Sequence, residues 1–429
     1  METTTYRRPG LVTHEHVITT PLDHDVPGGE RIEVFARELV RPDREDEDLP
    51  RLLMLQGGPG GKADRPATVS GWLARALDEF RVVLLDQRGT GRSTPVTRQT
   101  LPERGDPAAQ ADYLTRFRAD SIVRDAELLR RELDGDEPWT LLGQSFGGFC
   151  VLTYLSLAPE GVREALVTGG LPALSGGPDP VYHATYRQVD ARNRDYFARY
   201  PGDEERARTV AAHLAGADER LPTGERLTPE RFQTAGIVLG NRSRFDSLHD
   251  LLEDPFVRSG GVLQLSDSFL QGVSGLVSFA GRPLYALLHE PIYCQGEAAR
   301  WSAERVRDEQ NGAFAPDAKP FRFTGEMIYP WMFDQDPALT PVQEAAELVE
   351  GKADWPALYD PARLAENTVP VAAAVYVDDM YVPYELSAVT ASRIGSLRPW
   401  ITNEYHHDGI REDGATVLDR LLDVVRERR

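Results

Sequence analysis

Short, almost continuous apolar runs recur in the first and last parts of the chain, as expected of strands buried on both faces of a parallel sheet. The clearest runs are residues 52–55 (LLML), 82–85 (VVLL), 165–168 (ALVT) and 369–377 (VPVAAAVYV). Glycine or aspartate follows each run within two residues, which favours a turn there. We predict further strands at residues 16–20, 31–39 and 400–402.

Apolar positions at helical spacing alternate with these runs. One helical face is formed by Ile122, Ala126, Leu129 and Leu133, and another near the end of the chain by Leu418, Leu421, Leu422 and Val425. Strands that alternate with helices predict an α/β fold with a mostly parallel central sheet and helices on both faces.

The pattern changes near Pro172, and from there to about Ala365 the chain is rich in Arg, Glu, Ala and Leu, with few strand-like runs. Helices are predicted at residues 182–200, 203–214 and 297–308. The sequence therefore predicts two parts of an α/β core, residues 1–171 and 366–429, separated by a mainly helical cap at residues 172–365.

A further apolar run, residues 139–142 (WTLL), ends in Gly143-Gln144-Ser145-Phe146-Gly147, and a helix-compatible run follows. This strand, tight turn and helix match a nucleophile elbow, in which the serine oxygen stands exposed at the end of the strand. The helix that begins beside Ser145 aims free N–H groups at any negative charge that develops there. The predicted strand before Ser145 and the predicted helix after it favour a nucleophile elbow over a chance match to G-x-S-x-G.

Candidate partners for Ser145 follow much later in the chain. Asp378 and Asp379 end the run at 369–377, and His406 and His407 follow the short strand at 400–402. A serine hydroxyl needs a base to accept its proton, and the base needs an acid to fix its tautomer. Serine, acid, histidine is the chain order of α/β hydrolases. Spacing alone does not choose between the two acids or between the two histidines.

Two glycine-rich segments follow the first two buried runs. Residues 56–61 (QGGPGG) leave backbone amides unshielded, so the segment is suited to donating a main-chain N–H to an oxyanion or to forming a flexible turn. Residues 86–93 (DQRGTGRS) lack the order of a phosphate-binding loop, and we interpret them as a turn held by Asp86 and Arg88.

Charge and composition exclude several classes of protein. The 429 residues carry a net charge of 48 − 68 = −20, which disfavours a nucleic-acid partner. Two cysteines are too few for a disulfide framework. Residues 1–11 lack the apolar core of a signal peptide, and no apolar run is long enough to span a bilayer, so we expect a cytoplasmic protein that does not bind membranes.

Three motifs together, QGGPGG at 56–61, DQRGTGRS at 86–93 and GQSFGG at 143–148, resemble those of the proline iminopeptidases, a family of α/β hydrolases. The length of the chain resembles that of the larger form of the family, which has a long cap. The family's pattern has histidine where this chain has Gln56. The resemblance implies an α/β-hydrolase fold that releases an N-terminal residue, preferentially proline, from small peptides with a free N-terminus.

The resemblance also implies roles for individual residues. Ser145 matches the nucleophile, Asp379 in DMYVP matches the acid, and His407 in HDG matches the base. The oxyanion donors it implies are the backbone N–H groups of Phe146 and of Gly57 or Gly58. It implies no metal and no organic cofactor.

An aminopeptidase must also recognise a protonated amine, which calls for a carboxylate in a water-poor pocket. Glu290 in HEPIY and Glu326 in GEMIYPW are candidates because both lie beside apolar and aromatic residues. Tyr329, Trp331 and Phe333 are suited either to walling a proline pocket or to forming the core of the cap.

Two other functions are compatible with these residues. An esterase or lactonase would use the same three side chains, and a wholly apolar cap pocket would favour it. The absence of the serine, the acid or the histidine would favour a non-catalytic binding protein on this fold, but all three residue types are present. The preferred N-terminal residue, the length of the peptide and the oligomeric state are not determined by the sequence.

Overall fold

A twisted sheet of nine strands dominates the computed structural model, which describes residues 1–427. The strands in chain order are β1 (Glu2–Arg8), β2 (Leu11–Pro21), β3 (Arg31–Val40), β4 (Arg51–Leu55), β5 (Arg81–Asp86), β6 (Trp139–Gln144), β7 (Val162–Thr168), β8 (Phe256–Ser259), β9 (Val262–Leu265), β10 (Val371–Tyr376) and β11 (Leu397–Thr402). The sheet order is β1-β2-β3-β5-β4-β6-β7-β10-β11, and β8 and β9 form a separate hairpin. The six strands from β5 to β11 in this order are parallel, so their carboxyl ends meet at one edge.

Helices cover the sheet and fill the segment between β7 and β10. They are α1 (Gly71–Ala76), α2 (Pro107–Leu114), α3 (Ala119–Asp134), α4 (Phe146–Leu157), α5 (Pro178–Arg199), α6 (Asp203–Gly216), α7 (Pro229–Gln233), α8 (Phe245–Glu253), α9 (Asp267–Val277), α10 (Pro283–Leu288), α11 (Ser302–Asp308), α12 (Trp331–Gln335), α13 (Gln343–Gly351), α14 (Pro361–Ala365), α15 (Tyr384–Ala391), α16 (Gly409–Glu412) and α17 (Gly414–Arg426). Across residues 1–427, no helix combines the length and the apolar composition that crossing a bilayer requires.

The continuous apolar runs are explained by burial of both faces of the sheet. Leu53 and Leu55 of β4 pack in the hydrophobic cluster that contains α3 and α4, whereas Leu52 and Met54 pack in the cluster that contains α1 and α17. Successive side chains of a strand point to opposite faces, so a strand covered on both sides has no polar positions to alternate with. The predicted α/β fold with helices on both faces is confirmed.

Three strands, β1 and the two strands of the β8–β9 hairpin, were not predicted from the sequence. Strand β1 pairs with β2 at the edge of the sheet and is almost entirely exposed, so its sequence, ETTTYRR, carries no apolar pattern. The β8–β9 hairpin lies within the segment predicted to be mainly helical, and most of its residues are exposed. In both cases backbone pairing forms the element, with little burial of side chains to mark it.

One hydrophobic cluster contains Tyr186, Phe232, Phe323 and Tyr329 of the segment between β7 and β10, and it extends outside the segment to residues such as Phe117 and Met380. The end of the segment behaves differently, because Leu364 of α14 packs in the cluster that contains α3 and α4. The predicted boundaries at 171/172 and 365/366 fall in connections next to β7 and β10. The last two residues of the predicted second core part, 428 and 429, lie outside the described residues.

A buried ion pair supports the turn after β5. Arg88 donates from Nε to Asp125 Oδ2 at 2.7 Å and from Nη2 to Asp125 Oδ1 at 2.6 Å. Thr20 Oγ1 donates to the same Asp125 Oδ1 at 2.7 Å, and Arg88 Nη1 donates to the carbonyl of Leu22. The pair therefore joins β2, the turn after β5 and α3 at a point where both charged groups are removed from water.

We predict that Asp125→Ala destabilises the protein by about 3–5 kcal/mol, because it leaves the Arg88 guanidinium buried without a counter-charge. Urea unfolding followed by circular dichroism measures the change. The control is Asp112→Ala, which removes a carboxylate that is 73% exposed and pairs with Arg116 at 3.3 Å. That variant should change stability by less than about 1 kcal/mol. Equal losses in the two variants would contradict a special role for the buried pair.

Candidate active site

Ser145 occupies the turn between β6 and α4 in a conformation that side chains rarely adopt. Its φ is 55° and its ψ is −126°. Close backbone contacts hold this turn in place: a Cβ added at Gly147 would lie 1.9 Å from the carbonyl oxygen of Leu55, and one at Gly148 would lie 2.3 Å from that of Gly170. Larger residues at these positions would push the turn away from the ends of β4 and β7. The strain at Ser145 thus persists because the surrounding packing permits no other path.

Asp379 and His407 are joined by a short hydrogen bond near the same edge of the sheet. His407 Nδ1 donates to Asp379 Oδ2 at 2.7 Å, since a carboxylate can only accept. Asp379 Oδ1 accepts from the backbone N–H groups of Tyr381 at 2.8 Å and Val382 at 3.0 Å. The orientation of this carboxylate is therefore fixed. Because the proton of the neutral imidazole is on Nδ1, its lone pair lies on Nε2.

Ser145 and His407 line one cavity of about 280 Å³, together with Gln144. The amide nitrogen of Gln144 lies 3.3 Å from His407 Nε2. Among the described residues, this amide is the hydrogen-bond partner of Nε2, and Ser145 Oγ is not. Before His407 can accept the proton of Ser145, Nε2 must exchange the Gln144 amide for the serine oxygen.

The structure distinguishes Asp379 from Asp378 and His407 from His406, which the spacing in the sequence could not. Asp378 Oδ1 lies 3.2 Å from Arg192 Nη1 and is partly exposed, whereas Asp379 is 1% exposed. The His406 ring packs edge-on against Phe245, and neither Asp378 nor His406 lines the cavity. Asp379 and His407 are thus the acid and histidine that meet near Ser145.

Burial and a neighbouring carboxylate have opposite effects on the pKa of His407. Burial alone would lower the pKa of the His407 imidazole. The charge of Asp379 and its hydrogen bond, with smaller effects from the charges of Asp408 and Glu326, outweigh burial and raise that pKa above the ordinary 6.5. For His406, burial together with Arg192 lowers the pKa to about 4. The two adjacent histidines therefore differ in charge over the mildly acidic range.

The glycine-rich loop after β4 lies against the elbow. A Cβ added at Gly57 would lie 3.0 Å from the Cβ of Ser145, and both Gly57 and Gly58 line the cavity. The N–H of Phe146 follows Ser145 directly at the start of α4. Gln56 also lines the cavity, and its carbonyl accepts from Gln87 Nε2 at 3.0 Å, which anchors this loop to the turn after β5.

The two candidate carboxylates of the predicted cap, the segment between β7 and β10, lie in different surroundings. Glu326 lines the cavity with Ser145 and accepts a hydrogen bond from the Tyr285 hydroxyl. Glu290 does not line the cavity and is completely buried; its oxygens accept from the backbone N–H groups of Ser302 at 2.7 Å and Ala303 at 2.8 Å. Its position makes Glu290 a support for the start of α11, and we retain only Glu326 as a candidate for binding the substrate amine.

The aromatic residues predicted to wall the pocket lie elsewhere. Tyr329 and Phe333 belong to the core of the cap, Trp331 packs against that core, and none of the three lines the cavity. The Tyr329 hydroxyl is engaged with that of Tyr186 at 2.8 Å. Of the two interpretations that the sequence allowed, the cap-core interpretation agrees with these positions.

Several cavity residues were not found from the sequence: Ile237, Asn241, Arg244, Arg282, Tyr285 and Tyr381. Five of them come from the cap, where no motif distinguishes them from ordinary helix and loop residues. Tyr381 did carry a signal, because it lies two positions after Asp379. Its ring meets His407 edge-on with centroids 4.8 Å apart.

This fold and site define an α/β hydrolase, and residues 50–215 match the family model described as the alpha/beta hydrolase fold. A proline iminopeptidase of Aeromonas sobria is 51% identical over 423 residues, which is 98% of each chain. A proline iminopeptidase of Aspergillus aculeatus is 35% identical over 97% of this chain and 94% of the relative. The chain belongs to the proline iminopeptidase family.

Likeness to solved structures is weaker. The crystal structure of a proline iminopeptidase of Mycobacterium smegmatis covers the whole of both chains with a TM-score of 0.42 at 15% identity. The family assignment therefore depends on the two full-length relatives.

We predict that the pKa of His407 lies above 6.5 in the native protein and falls below 6.5 in Asp379→Asn. Removing the carboxylate charge leaves burial as the dominant effect, and burial favours the neutral ring. NMR titration of selectively labelled histidines measures both values. His406 serves as an internal comparison: the charge of Asp379 has only a small raising effect on its pKa, so that pKa should fall slightly from about 4 while the pKa of His407 falls much further. An unchanged His407 midpoint in the variant would show that Asp379 does not control its charge.

Proposed function

We propose that this chain is a serine aminopeptidase that releases an N-terminal residue, preferentially proline, from peptides. Ser145 is the nucleophile, His407 the general base and acid, and Asp379 the group that orients His407. One observation carries the proposal: a single cavity is lined by Ser145, His407 and a cap carboxylate, Glu326. The two full-length relatives named proline iminopeptidase support the same activity.

In the proposed reaction, His407 Nε2 accepts the proton of Ser145 as Oγ attacks the carbonyl carbon of the first residue. The oxyanion receives hydrogen bonds from the N–H of Phe146 and from the glycine loop at Gly57 or Gly58. His407 then protonates the leaving amine, and an acyl-enzyme remains on Ser145. Water, deprotonated by His407, attacks this ester and releases the free amino acid. This sequence of steps uses side chains and backbone groups of this chain alone.

Recognition of the free N-terminus is assigned to Glu326. A protonated amine in a cavity of about 280 Å³ loses part of its hydration, and a charge-assisted hydrogen bond to a carboxylate compensates for that loss. The Tyr285 hydroxyl donates to Glu326 Oε1, which orients the carboxylate. The carboxylate favours a peptidase over an esterase, because an uncharged ester gains nothing from it.

Ser145→Ala should lower kcat by about 10⁴–10⁶-fold on a prolyl arylamide, because the nucleophile is lost while binding groups remain. Circular dichroism checks that the variant is folded. Ser392→Ala is the matched control, since Ser392 is exposed and does not line the cavity, and its rate should equal that of the native enzyme. Turnover by Ser145→Ala at the native rate would remove Ser145 from the mechanism.

Glu326→Gln should lower kcat/KM for prolyl substrates with a free amine by about 10–100-fold, the range expected when one hydrogen bond to a charged group is lost. Steady-state kinetics measure the change. Glu309→Gln, which neutralises an exposed cap carboxylate outside the cavity, is the control and should have no effect. If Glu326→Gln cleaves prolyl arylamide as well as the native enzyme, the amine is bound elsewhere.

A substrate panel distinguishes the proposed peptidase from the alternative esterase or lactonase. It compares prolyl, alanyl and N-blocked prolyl arylamides with a simple aryl ester. The proposal requires that the free-amine prolyl compound is cleaved much faster than its blocked counterpart. Equal rates on the two prolyl compounds, with faster cleavage of the ester, would favour an esterase.

A further inference from the structure

Three arginines line the cavity that contains Ser145, and two of them, Arg244 and Arg282, are not neutralised by the protein. Arg244 and Arg282 are both exposed, and among residues 1–427 neither guanidinium forms an ion pair or a hydrogen bond. Arg282 lies over the Tyr285 ring, with its guanidinium carbon 4.6 Å from the centroid. The hydroxyl of that tyrosine donates to Glu326, so Arg282 and the proposed amine-binding carboxylate share one aromatic neighbour.

The other charged groups of the cavity are already engaged. Arg411 Nη1 lies 3.1 Å from Asp408 Oδ1, and Asn241 Nδ2 donates to Asp408 Oδ2 at 3.2 Å. Asp408 is therefore satisfied by Arg411 and Asn241, and it does not neutralise Arg244 or Arg282. The cavity thus has one carboxylate available for a cation, Glu326, and two guanidinium groups available for an anion.

We infer that Arg244 and Arg282 bind the C-terminal carboxylate of the substrate, so that this site is specific for short prolyl peptides with an unblocked C-terminus. The inference depends on the proposed aminopeptidase function. A short peptide at neutral pH carries an ammonium at one end and a carboxylate at the other, and the cavity offers the complementary charges. Its volume of about 280 Å³ lies at the lower limit of ligand pockets, roughly 300–1,000 Å³, which also favours a small substrate.

The charge at the cavity differs in sign from the overall charge of the protein. With a net charge of −20, the protein repels a carboxylate as it approaches. The charged side chains that line the cavity are three arginines and two carboxylates, so the local balance of charge is opposite to that of the whole chain. Guanidinium groups are suited to this because they form paired hydrogen bonds with a carboxylate.

The test compares Pro-Gly-Gly with its C-terminal amide in the native enzyme and in Arg244→Gln, Arg282→Gln and the double variant. The native enzyme should have a higher kcat/KM for the acid than for the amide, and the preference should decrease as salt is added. Each single variant should reduce the acid-to-amide ratio, and the double variant should reduce it by about tenfold or more, as expected from losing charge-assisted hydrogen bonds.

Arg242→Gln is the matched control, because Arg242 is exposed on the same turn as Arg244 but does not line the cavity. It removes the same charge two residues away and should leave the ratio unchanged. Arg244→Lys keeps the charge and should retain part of the preference for the acid. If Arg242→Gln and Arg244→Gln lowered the acid-to-amide ratio equally, the ratio would depend on the net charge of the protein and not on Arg244 itself, and the assignment would be overturned.

Failure of this inference can be told apart from failure of the aminopeptidase function. If prolyl arylamide and both tripeptides are cleaved with no preference for the acid, the carboxylate site is wrong and the aminopeptidase function stands. If the double variant has the same acid-to-amide ratio as the native enzyme, the carboxylate site is likewise wrong and the aminopeptidase function stands. If no prolyl compound with a free amine is cleaved, both proposals are wrong.

Discussion

The close approach of backbone segments around Ser145 is the constraint on which the rest of this site depends. Helix α4 begins so near the ends of β4 and β7 that no Cβ fits at Gly147 or Gly148. This packing holds Ser145 at a φ of 55°, a conformation that an unsupported serine would leave. The serine oxygen is thereby presented at the carboxyl edge of the parallel sheet, where Asp379 and His407 also lie.

The cap is joined to this edge by specific contacts next to the site. The backbone N–H of His407 donates to the carbonyl of Gly240 at 3.0 Å, and the Tyr381 hydroxyl donates to the carbonyl of Ile237. A Cβ at Gly240 would lie 2.1 Å from the Tyr381 ring, so the cap segment passes directly over that ring. The proposed recognition groups of the cap are consequently positioned relative to the very loops that carry the acid and the histidine.

A comparison of the cap carboxylates shows why burial alone does not identify a site. Burial raises the pKa of Glu290 above its ordinary value, and burial together with the charge of Glu290 raises the pKa of Glu350. Both nevertheless accept backbone N–H groups at residues 301–303, where they support a turn. Glu326 is more exposed, yet it alone of the two predicted carboxylates faces the cavity that contains Ser145.

The sequence by itself determined the sheet apart from its edge strand β1, the elbow, and the two short segments from which the acid and histidine come. These features have local causes: apolar runs follow from burial on both faces, and the elbow requires glycines at fixed positions around Ser145. The choice of Asp379 over Asp378 and of His407 over His406 had support only from family resemblance, because adjacent residues of one type share the same local pattern. Only the folded chain shows which of each pair turns inward. The same holds for Glu326, Arg244 and Arg282, which come from distant parts of the cap and meet Ser145 through tertiary packing that leaves no periodic signal.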